Sequence, residues 1–203
     1  MVLLIAAVCF AALCFNGLCA QTQASAKTPA KSAVNLTELM SDSGMNVSKM
    51  NFSLYVLPQL SVAQTVKFNP PKPGWKLKHI VILGSDGWNS THKELPVQDV
   101  FAVEVRDENL NLLYQYADTQ VDYFTSPTGI KMAAIDVPDV TVNGPFYIGF
   151  YGRGVVGVAA ELNKTTGNSF YYLRDAMTLA KGTVPPYGNV TLPVNWIIRA
   201  YGA

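Results

Sequence analysis

The chain has 203 residues, with 15 Lys and Arg against 14 Asp and Glu, and charged residues make up only 14% of it. A net charge of +1 without any run of Lys or Arg leaves no basic footprint for nucleic acid or an anionic membrane surface. All three cysteines, Cys9, Cys14 and Cys19, fall within the first twenty residues, so the remainder has no disulfide, no cysteine-ligated zinc and no thiol nucleophile.

In chain order, the first element is an unbroken apolar run from Val2 to Phe15. Asn16 and Gly17 end it, and Ala20 offers a small residue before Gln21. The run reads as the core of a secretory signal peptide over residues 1–20, although no Lys or Arg precedes it. It is too short to span a bilayer, which takes about 18–20 apolar residues. The expected location is therefore secreted or cell-surface, with no membrane span once the signal is removed. Residues 21–50 are rich in Ala, Ser, Thr, Lys and Gln, and read as a flexible polar tether.

From Asn51 the character changes, and residues 51–203 read as one β-sandwich domain. Short β-rich runs alternate with Pro, Gly, Asn and Asp roughly every 8–12 residues. Strands are expected near Phe52–Leu57, Val62–Phe68, Lys76–Leu83 and Phe101–Arg106, then from Leu112 onward. Others are expected at Lys131–Val137, Phe146–Tyr151, Val155–Leu162, Ser169–Leu173 and Trp196–Tyr201. In Phe101–Arg106, Phe101, Val103 and Val105 share one face, and Ala102, Glu104 and Arg106 share the other. Asp107 to Leu110 then forms a turn, closing a hairpin. The best helix candidate is Asp175–Lys181. About ten strands, each with an apolar face to bury, imply an all-β antiparallel sandwich of jelly-roll-like type.

Six phrases stand in a recognisable order: FNPPKPGW over 68–75, FAVEVRD over 101–107, LLY over 112–114, IDVPDVTVNGPFYIGF over 135–150, NSFYY over 168–172 and NWIIRA over 195–200. This order resembles a jelly-roll-like β-sandwich module of secreted and surface proteins of archaea and bacteria, one that ends in an N-W-M-I-R-A-like strand. The resemblance covers about Phe68–Ala200 and implies fold and location. It brings no catalytic or binding residue with it.

Export is supported separately by asparagine. Six of the 13 Asn residues, Asn35, Asn46, Asn51, Asn89, Asn163 and Asn189, stand in N-x-S/T sequons. That is several times what chance association of these residue types would place, and such sequons mark glycan acceptors on exported proteins.

Other patterns carry chemistry less well. Gly152, Gly154 and Gly157 match the dinucleotide fingerprint G-x-G-x-x-G, but a β run follows them, so a hairpin turn is expected. Asp107, Asn109 and Asn111 open like a calcium loop, yet Leu112 stands where its glycine belongs. No cofactor is expected. A structural calcium stays open at the loop 84–89, with Asp86, Asp99 and Asp175 as weak ligand candidates. His79 lies in a strand with Leu77 and Val81 and is expected to be partly buried and hydrogen-bonded. His92 sits near Ser85, Asp86, Ser90 and Glu94, from which a Ser-His-Asp hydrolase could be drawn. No G-x-S-x-G or H-E-x-x-H motif supports one. Trp88, Tyr116, Tyr123 and Phe124 lie in or beside loops. Aromatic rings beside Asn and Asp are how sandwich domains stack on sugars, although such rings also cap core ends. The expected binding residues are Trp88, Asp86, Asn89, Tyr123 and Phe124, on loops 84–96 and 121–129. The function so implied is a non-catalytic extracellular module binding glycan or protein at the cell surface. A structural envelope glycoprotein component and a secreted hydrolase are the alternatives.

Overall fold

The computed structural model describes residues 35–44, 46–162, 165–184 and 192–203. The signal-peptide reading and the sequons at Asn163 and Asn189 lie outside the described residues.

The fold is a two-sheet antiparallel β-sandwich. Its strands are β1 (Thr37–Met40), β2 (Phe52–Val56), β3 (Val62–Phe68), β4 (Trp75–Ser85), β5 (Val100–Asp107), β6 (Leu112–Thr119) and β7 (Lys131–Val142). They continue with β8 (Phe146–Tyr151), β9 (Gly157–Leu162), β10 (Ser169–Leu173), β11 (Thr178–Lys181), β12 (Thr183–Val184), β13 (Leu192–Trp196) and β14 (Ile198–Gly202). One short helix, α1 (Gln120–Phe124), interrupts them between β6 and β7. Sheet I runs β1-β14-β4-β9-β13-β12, with β7 also paired to β4 and β2 to β9; sheet II runs β11-β10-β3-β8-β5-β6. From β3 to β12 the chain repeatedly changes sheets, as a jelly-roll-like winding requires.

The inward faces follow the period-2 pattern of the sequence. Phe101, Val103 and Val105 enter the core from sheet II, and Trp196, Ile198 and Ala200 enter it from sheet I. Trp75 and Trp196 are fully buried there, and burying an apolar side chain completely contributes about 1.5–3 kcal/mol. The opposite faces are covered too. Outside sheet I, Leu83, Ala159 and Ile197 pack under Met50, Val47 and Phe52. Outside sheet II, Ala63, Ala102, Tyr151 and Tyr172 pack under Leu110 and Leu179.

Three expectations need correction. The stretch 35–50, read as part of a flexible tether, is built into the sandwich from Thr37 onward. There β1 pairs with β14, and Arg199 on β14 bonds Asp42 and Glu38. Its polar composition hid this because its apolar contacts, Leu39, Val47 and Met50, are scattered and the rest are charged pairs and backbone bonds. Asp175–Lys181 is not a helix. A 3-10 turn at Arg174–Ala176 leads into β11, which closes a hairpin against β10. The segment Gly152–Gly157 does not join two strands of one hairpin: β8 lies in sheet II and β9 in sheet I, so the turn crosses between sheets. Its bends need Arg153 and Gly154 at positive φ, and β9 follows with no helix. His79 is partly buried and hydrogen-bonded, as expected, although it does not share a face with Leu77. A bulge between them, opposite Pro138 on β7, turns Leu77 and Ile80 both inward. His79 is left half-buried on the outside, its Nδ1 2.6 Å from Asp136 Oδ1.

Among the described residues the strand count is fourteen instead of about ten. β1, β11 and β12 are added, and the last strand divides into β13 and β14 at Ile197. The Ile197 N–H donates to the Ala159 carbonyl of β9, and its carbonyl accepts from the Leu83 N–H of β4. One residue thus links two neighbours of sheet I where the strands diverge. Among the described residues no helix is long and apolar enough to cross a membrane.

Candidate functional site

The end of β4 and the start of β7 are paired, Gly84 opposite Lys131. The loop leaving β4 and the loop approaching β7 therefore emerge side by side, and their side chains tie them together. Thr125 Oγ1 donates to Asp86 Oδ2 at 2.5 Å, and Asp86 Oδ1 accepts from the Trp88 N–H at 3.0 Å. Ser85 Oγ donates to the Gly129 carbonyl and accepts from the Gly87 N–H. The Ser90 N–H donates to the Pro127 carbonyl at 3.2 Å. Gly87 has φ +83°, a conformation glycine adopts without strain. The far end of the first loop is held by Gln120 of α1. This residue is fully buried; its Nε2 donates to the Val97 carbonyl and its Oε1 accepts from the Asp99 N–H.

Within this frame lies a shallow depression of about 230 Å³ lined by Asp86, Gly87, Trp88, His92, Glu94 and Pro96. The Trp88 ring is half-buried, fixed by an Nε1–H bond to the Glu94 carbonyl at 2.8 Å. Beyond it the loop exposes Leu95 and Val97. An aromatic ring held beside carboxylates and an imidazole can stack on a sugar ring while accepting hydrogen bonds from its hydroxyls.

The five expected binding residues are not brought together. Asp86 and Trp88 line the depression. Asn89 does not; its Oδ1 accepts from the N–H and the hydroxyl of Thr91 at 3.0 and 2.6 Å. Tyr123 is half-buried, edge-on to Phe101, its hydroxyl 2.7 Å from that of Tyr116. Phe124 is a correction. Its ring is fully buried, edge-on to Phe101 and Phe150 with centroids 5.3 and 5.4 Å away, so no ligand reaches it. A five-residue helix turned it inward, where the sequence suggested a loop.

Tyr116 donates to Asp118 Oδ2 at 2.5 Å, and this bond, followed by that to Tyr123, holds the Tyr116 hydroxyl well above the ordinary tyrosine range. The same bond, with the Thr119 N–H, holds the Asp118 carboxyl low.

The other expectations resolve as follows. Asp86, Asp99 and Asp175 do not form a cluster; among the described residues no group of three or more His, Cys, Asp or Glu gathers to hold a metal ion. Asp107 does serve the hairpin: its carboxylate accepts from the Asn109 and Asn111 N–H groups at 2.9 and 2.8 Å and from Asn111 Nδ2 at 2.9 Å. His92 meets the Asn89 backbone through Nδ1, Ser85 is spent on Gly129, and Asp86 on Thr125. No Ser-His-Asp relay joins these residues.

No family model, no curated protein and no solved structure matches the chain.

One charged cluster escaped the sequence reading. On the outer face of sheet II, Glu104 is 3% exposed, and its carboxylate accepts from Arg106 Nε at 2.9 Å, Arg174 Nη2 at 2.5 Å and the Tyr151 hydroxyl at 2.9 Å. Arg106 lies over the Tyr172 ring and Arg174 over the Tyr151 ring, at 4.6 and 4.4 Å. Burial first, then the bond to Glu104, pushes the Tyr151 hydroxyl up. The alternation of Ala102, Glu104 and Arg106 signalled a shared face. Nothing local signalled that Arg174, 70 residues away, would close it. Three side chains converge on one carboxylate, and Arg106 Nη1 also ties the hairpin turn at the Leu110 carbonyl, 2.6 Å away, which is the arrangement of a structural network.

Proposed function

We propose that this protein is an exported, non-catalytic β-sandwich module that binds glycan at the cell surface through the depression beside Trp88. One observation carries the reading: two loops from paired strands, bonded to each other at Asp86–Thr125 and Ser85–Gly129, hold an indole beside Asp86, His92 and Glu94. A preformed aromatic and polar surface needs little ordering on binding, and so retains affinity that a loose loop would lose.

Three features of the sequence support export and surface location. They are the apolar run Val2–Phe15, the sequon excess, and the order of phrases resembling surface modules of archaea and bacteria.

The test is an oligosaccharide array followed by calorimetric titration of the ligands it finds. The wild-type protein is expected to bind a defined glycan class, and Trp88→Ala is expected to weaken that binding at least tenfold, about 1.4 kcal/mol, without lowering the melting temperature. Binding that survives Trp88→Ala unchanged overturns the site. An array without a ligand, together with ordered multimers in purified envelopes, favours the structural envelope role instead.

A further inference from the structure

The four sequons among the described residues fall into two structural kinds. At Asn46-Val47-Ser48, the Asn46 Oδ1 accepts both the N–H and the hydroxyl of Ser48, at 3.1 and 3.0 Å. At Asn89-Ser90-Thr91, the Asn89 Oδ1 accepts the same two groups of Thr91, at 3.0 and 2.6 Å. Asn35 and Asn51 differ. Their hydroxyl partners, Thr37 and Ser53, are drawn out in β1 and β2, paired with Gly202 and Ala160.

Asn195, outside a sequon, also accepts the N–H and the hydroxyl of one threonine, Thr166, but three such asparagines have a side-chain bond that Asn46 and Asn89 lack. Asn111 and Asn195 donate Nδ2 to Asp107 and Glu161, and Asn143 accepts from the Gly74 N–H. Among the described residues, neither Asn46 nor Asn89 commits its Nδ2 to any hydrogen bond. A carboxamide oxygen that accepts two hydrogen bonds draws electron density from its nitrogen. The Nδ2 proton is then lost more readily as a new bond forms.

We propose that Asn46 and Asn89 are N-glycan acceptors. The donor class is a lipid-linked oligosaccharide phosphate. Asn Nδ2 forms a bond to the anomeric carbon, the anomeric C–O bond to phosphate breaks, the lipid phosphate leaves with the electron pair, and Nδ2 gives up one proton. Asn46 is exposed on the segment that covers the outside of sheet I, and Asn89 lies outside the wall of the depression beside Trp88. A glycan on Asn89 would thus flank that depression without filling it. The inference rests on the export part of the function proposed above.

The test is intact-mass and glycopeptide mass spectrometry of protein from its native source, with sequencing of its N-terminus. Sugar is expected on the peptides holding Asn46 and Asn89. Ser48→Ala and Thr91→Ala, which keep the asparagine, are each expected to remove one glycan, whereas Ser48→Thr and Thr91→Ser retain it. These exposed hydroxyl substitutions leave the core untouched. Glycan confined to Asn35 or Asn51 overturns the proposal. Bare asparagines on a chain starting at Gln21 overturn it and leave export standing, and bare asparagines on a chain starting at Met1 overturn both.

Discussion

Arg199 of β14 donates from Nε and Nη2 to the two carboxylate oxygens of Asp42, at 2.9 and 3.0 Å, across 157 residues of chain. Arg199 is only 9% exposed, and its Nη1 also meets Glu38 Oε1 at 3.1 Å. Burial works to lower the guanidinium pKa, but these two carboxylates outweigh it and hold Arg199 charged. A planar fork on a carboxylate fixes both distance and orientation, so this pair sets where the N-terminal segment lies on sheet I.

Asp42→Ala should therefore cost far more than a surface substitution, because it strands a buried cation with half its partners. The expected loss is about 3 kcal/mol, read as a lower urea midpoint with unchanged slope. Deleting residues 35–42 should be at least as costly, since β1 goes with them. A loss under about 0.5 kcal/mol would return this segment to the status of a tether.

Glu104 poses the same problem with the sign reversed. Glu104→Ala leaves Arg106 and Arg174 facing each other with no anion between them, and takes the acceptor from Tyr151. The expected loss is about 3–5 kcal/mol. Glu104→Gln keeps the shape and one acceptor oxygen, and should lose less. If the two variants unfold at the same urea concentration, packing rather than charge governs the site.

The parts that could be read from the chain are those governed by local periodicity. Phe101, Val103 and Val105 alternate with Ala102, Glu104 and Arg106, and the sheet face follows directly from that. The hairpin at Asp107 was legible because Asp and Asn bond their own turn. What escaped depends on distant partners. β1 carries no apolar stripe, and it is pairing with Arg199–Gly202 of β14, far along the chain, that makes it a strand. The bulge at Leu77 reverses the side of His79, because one extra step in a period-2 pattern flips every residue after it. Of the expected binding residues, Trp88 and Asp86 come together because one loop holds both. Phe124 was lost to the core because its ring packs edge-on against Phe101 and Phe150, and no local pattern encodes those distant partners.

Acid should weaken the β5–β6 hairpin through Asp107. Burial works to raise this carboxyl, but the Asn111 side chain and the N–H groups of Asn111 and Asn109 outweigh it and hold the group below its ordinary value. A carboxylate whose folded pKa is depressed contributes stability above its unfolded value of about 3.9, and that contribution is lost as pH falls through the folded pKa. Asp107→Ala should thus lower the urea midpoint at pH 6, and the gap to wild type should narrow below about pH 4. A gap that stays constant down to pH 2 would mean the turn is held by backbone bonds alone.

The last prediction separates the shape of the candidate site from its chemistry. Thr125 never faces the depression beside Trp88; its hydroxyl acts only through Asp86, whose other oxygen holds the Trp88 N–H. Thr125→Val keeps the side-chain volume and removes that donor. Global stability should change by less than about 1 kcal/mol, because the bond is half-exposed and the core is untouched. The first loop should nevertheless loosen at Asp86, with faster amide exchange at Gly87 and Trp88. If recognition depends on a preorganised loop, glycan affinity falls roughly tenfold, about 1.4 kcal/mol, although no contact residue has changed. Asp86→Asn, with Thr125 in place, keeps its oxygen for the Trp88 N–H and turns its Nδ2 toward the Thr125 hydroxyl, which then accepts, so most of the loop order should remain. Any affinity it still lacks is then the share that the carboxylate charge contributes directly to the ligand. Should Thr125→Val bind as tightly as wild type while exchange at Trp88 quickens, preorganisation is irrelevant to this surface.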